Sequence, residues 1–123
     1  MVTILRIFSS GQNWQDLLND EETPLIRHTV LVRFNPDADA SKIFAALKAL
    51  QHKIAGIISI SAGADSSPEG LQRGNTHGFT VDFVDAAARD AYLPHPEHQK
   101  VGGMIIAAAE GGIDGITVLD WEM

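Results

Sequence analysis

Hydrophobic and polar residues alternate in two stretches of the chain, and this spacing predicts β-strands. In residues 26–34 every second side chain is an imidazole or is apolar, from His28 to Phe34. Residues 76–83 repeat the pattern, beginning at His77. A period of two places alternate side chains on opposite faces of a strand. The strands predicted along the chain are 26–34, 57–62, 76–83 and 116–121.

Apolar residues recur at three- and four-residue spacing between the first two strands, which predicts a helix. The series consists of Ile43, Leu47, Leu50 and Ile54. Gly56 lies two residues after its last member, as expected for a residue that ends a helix. The next glycine-, serine- and aspartate-rich stretch, 63–75, is expected to form a loop before the third strand.

Prolines interrupt the second helical region. Asp85 is a favourable N-cap for a helix over residues 86–93. Pro94 ends that helix, and Pro96 suits the first turn of a second one that continues through residue 108 to the glycine pair at 111–112. The sequence therefore predicts two consecutive helices before the last strand.

The predicted order is strand, helix, strand, strand, helical region, strand, which is that of a ferredoxin-like α+β fold with a four-stranded antiparallel sheet. The helices would cover one face of the sheet, yet several strands carry apolar residues on both faces. An uncovered apolar face of that size is a liability in a monomer. We therefore expect a homodimer with two-fold symmetry. Residues 25–123 form the predicted domain, and residues 1–24 form an extension that we expect to dock on the domain or on a partner subunit.

The composition of the chain argues against several classes of partner and function. Its 123 residues, 45% of them hydrophobic, fit one globular domain. The net charge of −7, with only nine Lys and Arg, argues against nucleic acid and against an anionic membrane surface as partners. There is no cysteine, which removes thiol nucleophiles and disulfides. A cysteine-free chain suits a reducing cytoplasm, where we expect this protein.

Titratable side chains concentrate around the proline break. Tyr92, His95 and His98 lie within seven residues of one another, and the chain has five histidines in all. Histidine titrates closest to neutral pH, so this segment is the first candidate for a chemical site. Tyr92 and His98 would point in different directions on one continuous helix, but the break at Pro94 allows them to converge.

These residues and the order of the elements resemble the stress-responsive A/B barrel domain family, whose members are dimeric α+β barrel proteins. The resemblance covers residues 26–121. The segments that carry it are Ile-Arg-His-Thr-Val-Leu-Val-Arg-Phe at 26–34, Gly-Ile-Ile-Ser-Ile-Ser-Ala-Gly at 56–63, Thr-His-Gly-Phe-Thr-Val-Asp-Phe at 76–83 and Tyr-Leu-Pro-His-Pro-Glu-His at 92–98. Some members of the family are abundant stress proteins, and one plant member is a polyketide (olivetolic acid) cyclase that works by aldol chemistry without metal or organic cofactor.

The resemblance to that cyclase implies roles for individual residues. Tyr92 and His98 match its principal tyrosine and histidine, and His28 and His77 match two further pocket histidines. An aldol closure needs a base beside a carbonyl and a donor for the developing oxyanion. We therefore predict that His98 is the base and that Tyr92 is its orienting partner or the oxyanion donor. No cofactor is expected.

Binding and structural roles both stay open for the other histidines. We predict His28, His77 and His95 as substrate-binding residues. The structural alternative for His28 and His77 is packing in the core, at opposite ends of two neighbouring antiparallel strands. The alternative for His95 is capping of the restarted helix. The spacing of His95 and His98 would also allow a metal ion, but the proline break disfavours such a site, and we predict none.

Three functions are compatible with these observations. The leading prediction is a small-molecule-binding dimer with acid/base catalysis on a hydrophobic carbonyl or phenolic compound. The alternatives are a stress-associated structural dimer without turnover and a cofactor-free monooxygenase that acts on an electron-rich phenol. A closed apolar cavity that Tyr92 and His98 face would favour catalysis, whereas a filled core would favour the structural dimer.

Overall fold

The computed structural model describes residues 23–123, which form one four-stranded sheet and three α-helices. In chain order the elements are β1 (Ile26–Val32), α1 (Ala40–Ala49), β2 (Ile57–Ala64), β3 (His77–Phe83), α2 (Ala86–Tyr92), α3 (Pro96–Ala108) and β4 (Ile116–Glu122). This order confirms the predicted ferredoxin-like α+β fold. The expected docking of the N-terminal extension falls on a segment outside the described residues. No helix within residues 23–123 is long and apolar enough to cross a bilayer.

The first helix ends earlier than its apolar series predicts. After α1 the chain tightens into a 3-10 turn, Leu50–His52, although Leu50 and Ile54 are buried as the pattern requires. Gly56 then adopts a φ of +92°, and a Cβ at this position would lie 2.5 Å from the Cβ of Ala88. Both the backbone conformation and the close approach to α2 therefore require glycine here.

The sheet has the strand order β2-β3-β1-β4, and all its neighbours are antiparallel. Val32 pairs with His77 and His28 pairs with Val81, so the two histidines lie four residue steps apart. That separation is about 13 Å along the strands. The prediction that His28 and His77 occupy opposite ends of neighbouring strands is confirmed. On its other side, His28 pairs with Asp120 of β4.

The helices cover one face of this sheet and build the hydrophobic core. The largest completely buried side chains are Tyr92, Phe83, Leu47, Leu50, Val32 and Val81. Tyr92 is 1% exposed, so the tyrosine of the candidate site is also a core residue. Any chemical role for its hydroxyl is thus linked to the packing of the fold.

The opposite face of the sheet has no cover within the described residues. Leu31, Leu119 and Trp121 are 38%, 64% and 46% exposed. Beside them, Arg27 donates two hydrogen bonds of 2.9 Å to the carboxylate of Asp82. The mixed apolar and charged character of this face matches the uncovered surface that the sequence predicts.

Both predicted caps around the helix break are present. Asp85 Oδ1 accepts a hydrogen bond from the Ala88 amide at 2.8 Å and starts α2. His95 Nδ1 accepts one from the Glu97 amide at 3.1 Å, and Pro96 is the first residue of α3. Only residues 93–95 separate the two helices, so the last residue of α2 lies close to the first turn of α3.

Candidate active site

The helix break brings Tyr92 and His98 together. Tyr92 is the last residue of α2, and His98 lies in the first turn of α3. On a continuous helix six positions correspond to a rotation of about 240°, so the two side chains would diverge. Here the ring centroids are 4.1 Å apart, with the planes tilted by 36°. The predicted convergence is therefore found, and it results from the change of helix axis between Tyr92 and Pro96.

The hydrogen bond of His98 defines which ring nitrogen is free. Its Nδ1 lies 2.9 Å from the carbonyl oxygen of Leu93, and a carbonyl can only accept. Nδ1 must therefore carry a proton, which leaves Nε2 of the neutral ring as the basic nitrogen. Burial lowers the pKa of His98; the Leu93 carbonyl opposes this shift, and the nearby His28 and His95 reinforce it. His98 is thus set up as a neutral imidazole with a basic Nε2.

Tyr92 offers a phenol that stays protonated. Burial raises the pKa of Tyr92 well above its ordinary value, because the phenolate would lose its hydration. Its ring packs edge-on against Phe83, with centroids 4.9 Å apart. The hydroxyl forms no hydrogen bond with any residue in the described range 23–123. A protonated, uncommitted phenol can donate to an oxygen on which negative charge develops.

His28 completes the group on the sheet side. It is 6% exposed, and its ring meets that of Tyr92 edge-on, with centroids 6.0 Å apart. Its Nδ1 lies 2.7 Å from Oδ1 of Asp120, which accepts the Nδ1 proton. In the neutral ring Nε2 is then the free nitrogen, as it is in His98. Two imidazoles with the same tautomer therefore flank one phenol.

Asp120 is a member of this group that the sequence analysis missed. One of its carboxylate oxygens accepts a hydrogen bond from His28, and the other accepts one from Arg89 Nη1 at 2.9 Å. Burial acts to raise the pKa of Asp120, but the hydrogen bonds and charges of Arg89 and His28 outweigh burial and hold the pKa below its ordinary value. Asp120 is an acid in the otherwise mainly apolar stretch Ile116–Trp121. Because a ferredoxin-like topology pairs β4 with β1, an acid on β4 was the sequence signal that could have placed Asp120 beside the histidine of β1.

His77 and His95 lie in other surroundings. The ring of His77 packs against Phe34 and Phe44, with centroids 5.1 and 5.8 Å apart, and its Nδ1 lies 2.8 Å from Thr76 Oγ1. His95 uses Nδ1 to cap α3. Of the three histidines predicted to bind substrate, the structure brings His28 alone into ring contact with Tyr92. His77 and His95 occupy the positions that their structural alternatives describe.

A groove of about 710 Å³ opens at the His77 end of the sheet. It is bounded by Leu31 and Gly78 on the strands and by the loop that carries Leu71 and Arg73. Neither Tyr92 nor His98 lines it. This groove is therefore separate from the group of acid and base side chains at the other end of the strands.

The group formed by Tyr92, His98, His28 and Asp120 can carry out acid/base chemistry with its own side chains. Either Nε2 can accept a proton, and the phenol can donate one. Asp120 Oδ1 accepts the Nδ1 proton of His28 in a hydrogen bond of 2.7 Å. We refer to these four residues as the Tyr92 cluster.

Known proteins with similar sequence or structure support a family assignment. The sequence model of the family described as Stress responsive A/B Barrel Domain matches residues 26–123. A stress-response A/B barrel domain-containing protein of Arabidopsis thaliana is 30% identical over 98 residues, which cover 79% of this chain and 85% of the relative.

Solved structures agree with this assignment. A dimeric ferredoxin-like protein of unknown function from Jannaschia sp. CCS1 is 31% identical, with a TM-score of 0.72, over 80% of this chain and 99% of its own. The hydroxynitrile lyase of Passiflora edulis has the same TM-score of 0.72 at 22% identity, over 81% of this chain and 94% of its own. The latter similarity concerns the fold alone. On the match to residues 26–123, this chain belongs to the stress-responsive A/B barrel domain family.

Proposed function

We propose that this protein is an acid/base catalyst that acts on an apolar carbonyl compound bound beside the Tyr92 cluster. The observation that carries the proposal is the protonation pattern of the cluster. His28 and His98 both commit Nδ1 to an acceptor, so two basic Nε2 atoms flank a protonated phenol. A set of side chains that only packed would not need two tautomers fixed in the same way around a hydroxyl without a partner.

The chemistry follows from these protonation states. His98 Nε2 removes a proton from the carbon beside the substrate carbonyl, and the released electron pair forms an enolate. Tyr92 donates a hydrogen bond to the enolate oxygen, which limits the cost of its charge. The enolate carbon then bonds to a second carbonyl carbon, and the imidazolium of His98 returns the proton to the new alkoxide. Every proton and electron pair is accounted for without a further reactant.

A shared fold and a resemblance in sequence support this class of reaction. The hydroxynitrile lyase of Passiflora edulis shares the fold, so the scaffold is compatible with catalysis. By the resemblance of the sequence, Tyr92, His98 and His28 also correspond to pocket residues of a plant polyketide cyclase, whereas His77, a fourth corresponding residue, packs against Phe34 and Phe44 outside the Tyr92 cluster. Gly102 lies one helical turn after His98, and a Cβ there would meet nothing within 4 Å. This side of α3 therefore has space beside the proposed base.

We also propose that the active form is a homodimer that buries the uncovered sheet face. Leu119 and Trp121 lie on the edge strand β4 at neighbouring positions of that face, and they are 64% and 46% exposed. The similar protein from Jannaschia is dimeric. Sedimentation of the full chain at micromolar concentration is expected to give a dimer, and Trp121→Glu is expected to give a monomer. A wild-type monomer would contradict this part of the proposal.

Turnover tests use two carbonyl adducts with the purified full chain. Mandelonitrile releases an aromatic aldehyde, and a naphthyl β-hydroxyketone releases a fluorescent aldehyde by retro-aldol cleavage. We expect cleavage of at least one, with a loss of about 100-fold or more in His98→Ala, as for removal of a general base. Tyr92→Phe should also lose activity. His52→Ala is the matched control, because His52 is an exposed histidine outside the cluster. A dimeric, folded wild-type protein that neither cleaves nor binds either compound would contradict the proposal.

The structural dimer without turnover has an observation of its own. Tyr92 is completely buried, and His98 is hydrogen-bonded to the backbone, as expected of a filled core. Under that function His98→Ala would lower the free energy of unfolding through the lost bond to Leu93, and neither His98→Ala nor Tyr92→Phe would have an activity to lose. Urea unfolding together with the turnover assay therefore distinguishes the two functions.

A further inference from the structure

Arg89 connects α2 to the edge strand β4. It lies three residues before Tyr92, so both side chains are on the same side of the helix. Arg89 Nη1 donates to Asp120 Oδ2 at 2.9 Å, and Nε donates to Asp90 Oδ1 at 2.7 Å. The guanidinium is therefore fixed on its own helix by Asp90 while it reaches across to Asp120.

These contacts form a closed chain across three elements. Asp120 on β4 binds Arg89 with one oxygen and His28 of β1 with the other. His28 contacts Tyr92, and Tyr92 is carried by the same helix as Arg89. A carboxylate held on both oxygens cannot rotate without breaking a charge-assisted hydrogen bond.

The position of Asp120 explains why a second donor matters. Its side chain is 23% exposed, and it lies on an edge strand of the sheet. With His28 as the sole partner, the carboxylate could turn to water at little cost. The neutral His28 ring would then be free to exchange between its two tautomers.

We propose that Arg89 is a positioning residue that holds Asp120 in the orientation in which it accepts the Nδ1 proton of His28. His28 then keeps its lone pair on Nε2, the nitrogen that the proposed function uses. Arg89 touches no reacting atom and acts through Asp120. Only the effect on turnover rests on the proposed function, since the tautomer of His28 can be measured without any substrate.

The test is the tautomer of His28, obtained from the ring nitrogen chemical shifts of the full chain by NMR at a pH where the ring is neutral. In the wild type the Nδ1–H form should predominate. In Arg89→Met the ratio of Nε2–H to Nδ1–H should rise about tenfold, the effect of losing one charge-assisted hydrogen bond. Arg33→Met is the matched control, because Arg33 lies just beyond the far end of β1 and bonds to the Asp114 carbonyl. An unchanged tautomer ratio in Arg89→Met would overturn the proposal.

A conservative variant separates charge from shape. Arg89→Lys retains a cation that can reach Asp120, so the wild-type tautomer should be restored, whereas Arg33→Lys should change nothing. If Arg89→Met does not fold, Arg89→Lys decides the question, and a mixed tautomer in that variant would refute the role of the charge. A shifted tautomer in Arg89→Met together with a wild type that never turns over would support the positioning role and reject the proposed function.

Discussion

The two ends of the β1–β3 strand pair each hold a histidine on the helix-facing side, and they differ in what that histidine touches. His28 bonds to an ionised carboxylate, which is held in turn by Arg89, and its ring meets Tyr92. His77 bonds to the hydroxyl of Thr76 and packs between Phe34 and Phe44. We call the end with His28 the equipped end and the end with His77 the packed end. Both ends hold an imidazole, so the feature that distinguishes them is the charged partner of His28.

The largest expected effect comes from Tyr92, which belongs both to the core and to the equipped end. Tyr92→Ala should lower the free energy of unfolding by about 3–5 kcal/mol, as for other buried aromatic side chains. Tyr92→Phe should cost less than about 1 kcal/mol, because the hydroxyl has no partner among the described residues. Urea unfolding monitored by circular dichroism measures both values. Equal losses in the two variants would show that the hydroxyl is structural.

The next effect compares the two hydrogen-bond partners, Asp120 and Thr76. Asp120→Ala should cost about 1–3 kcal/mol at neutral pH, because His28 loses a buried acceptor. The folded pKa of Asp120 is lowered, so its contribution is complete above the unfolded value of about 3.9 and is lost as the pH falls through the folded pKa. The difference from wild type should therefore shrink in acid. Thr76→Val is the control, since the hydroxyl itself does not titrate and the cost of its loss should not follow the ionisation of Asp120. A pH-independent cost for Asp120→Ala would show that Asp120 is not ionised.

A comparable effect at one end and a smaller one at the other are expected from replacing each histidine by phenylalanine. At the packed end His77→Phe should cost within about 1 kcal/mol, because it preserves volume and ring contacts. At the equipped end His28→Phe removes the donor to Asp120 and should cost about 1–3 kcal/mol. Thermal unfolding of the two variants at one pH is sufficient for the comparison. If His77→Phe proved the more costly change, the two ends would have been assigned the wrong way round.

The smallest effect is a displacement of a pH profile. The pKa of His98 is lowered chiefly by burial, so its basic form persists below the ordinary value of 6.5. For an activity that uses this base, the acid limb of kcat/KM should have its midpoint below 6.5. The chemical shift of the His98 ring during an NMR titration gives the same midpoint without substrate. A midpoint above 6.5 would contradict a pKa of His98 that is lowered by burial.

Local signals in the sequence were sufficient for most of the fold. Asp85 and Pro96 mark helix starts through contacts within three residues, and the alternation after Ile26 identifies a strand directly. The meeting of Tyr92 and His98 was also predictable, because the proline break between them is local. Asp120 and Arg89 were not found, because their contact depends on the register of β4 against β1 and on how α2 packs above both. Those are long-range properties that no short stretch of sequence contains.

The three-residue connection between α2 and α3 has an evolutionary consequence. Because Tyr92 and His98 belong to separate helices, the angle between phenol and imidazole is set by residues 93–95 and not by helical periodicity. Insertions, deletions or substitutions in that connection would change the direction in which the His98 side chain points, while the sheet and its core remain unchanged. The short connection is therefore a place where the relative position of the acid and base groups can vary on one fold.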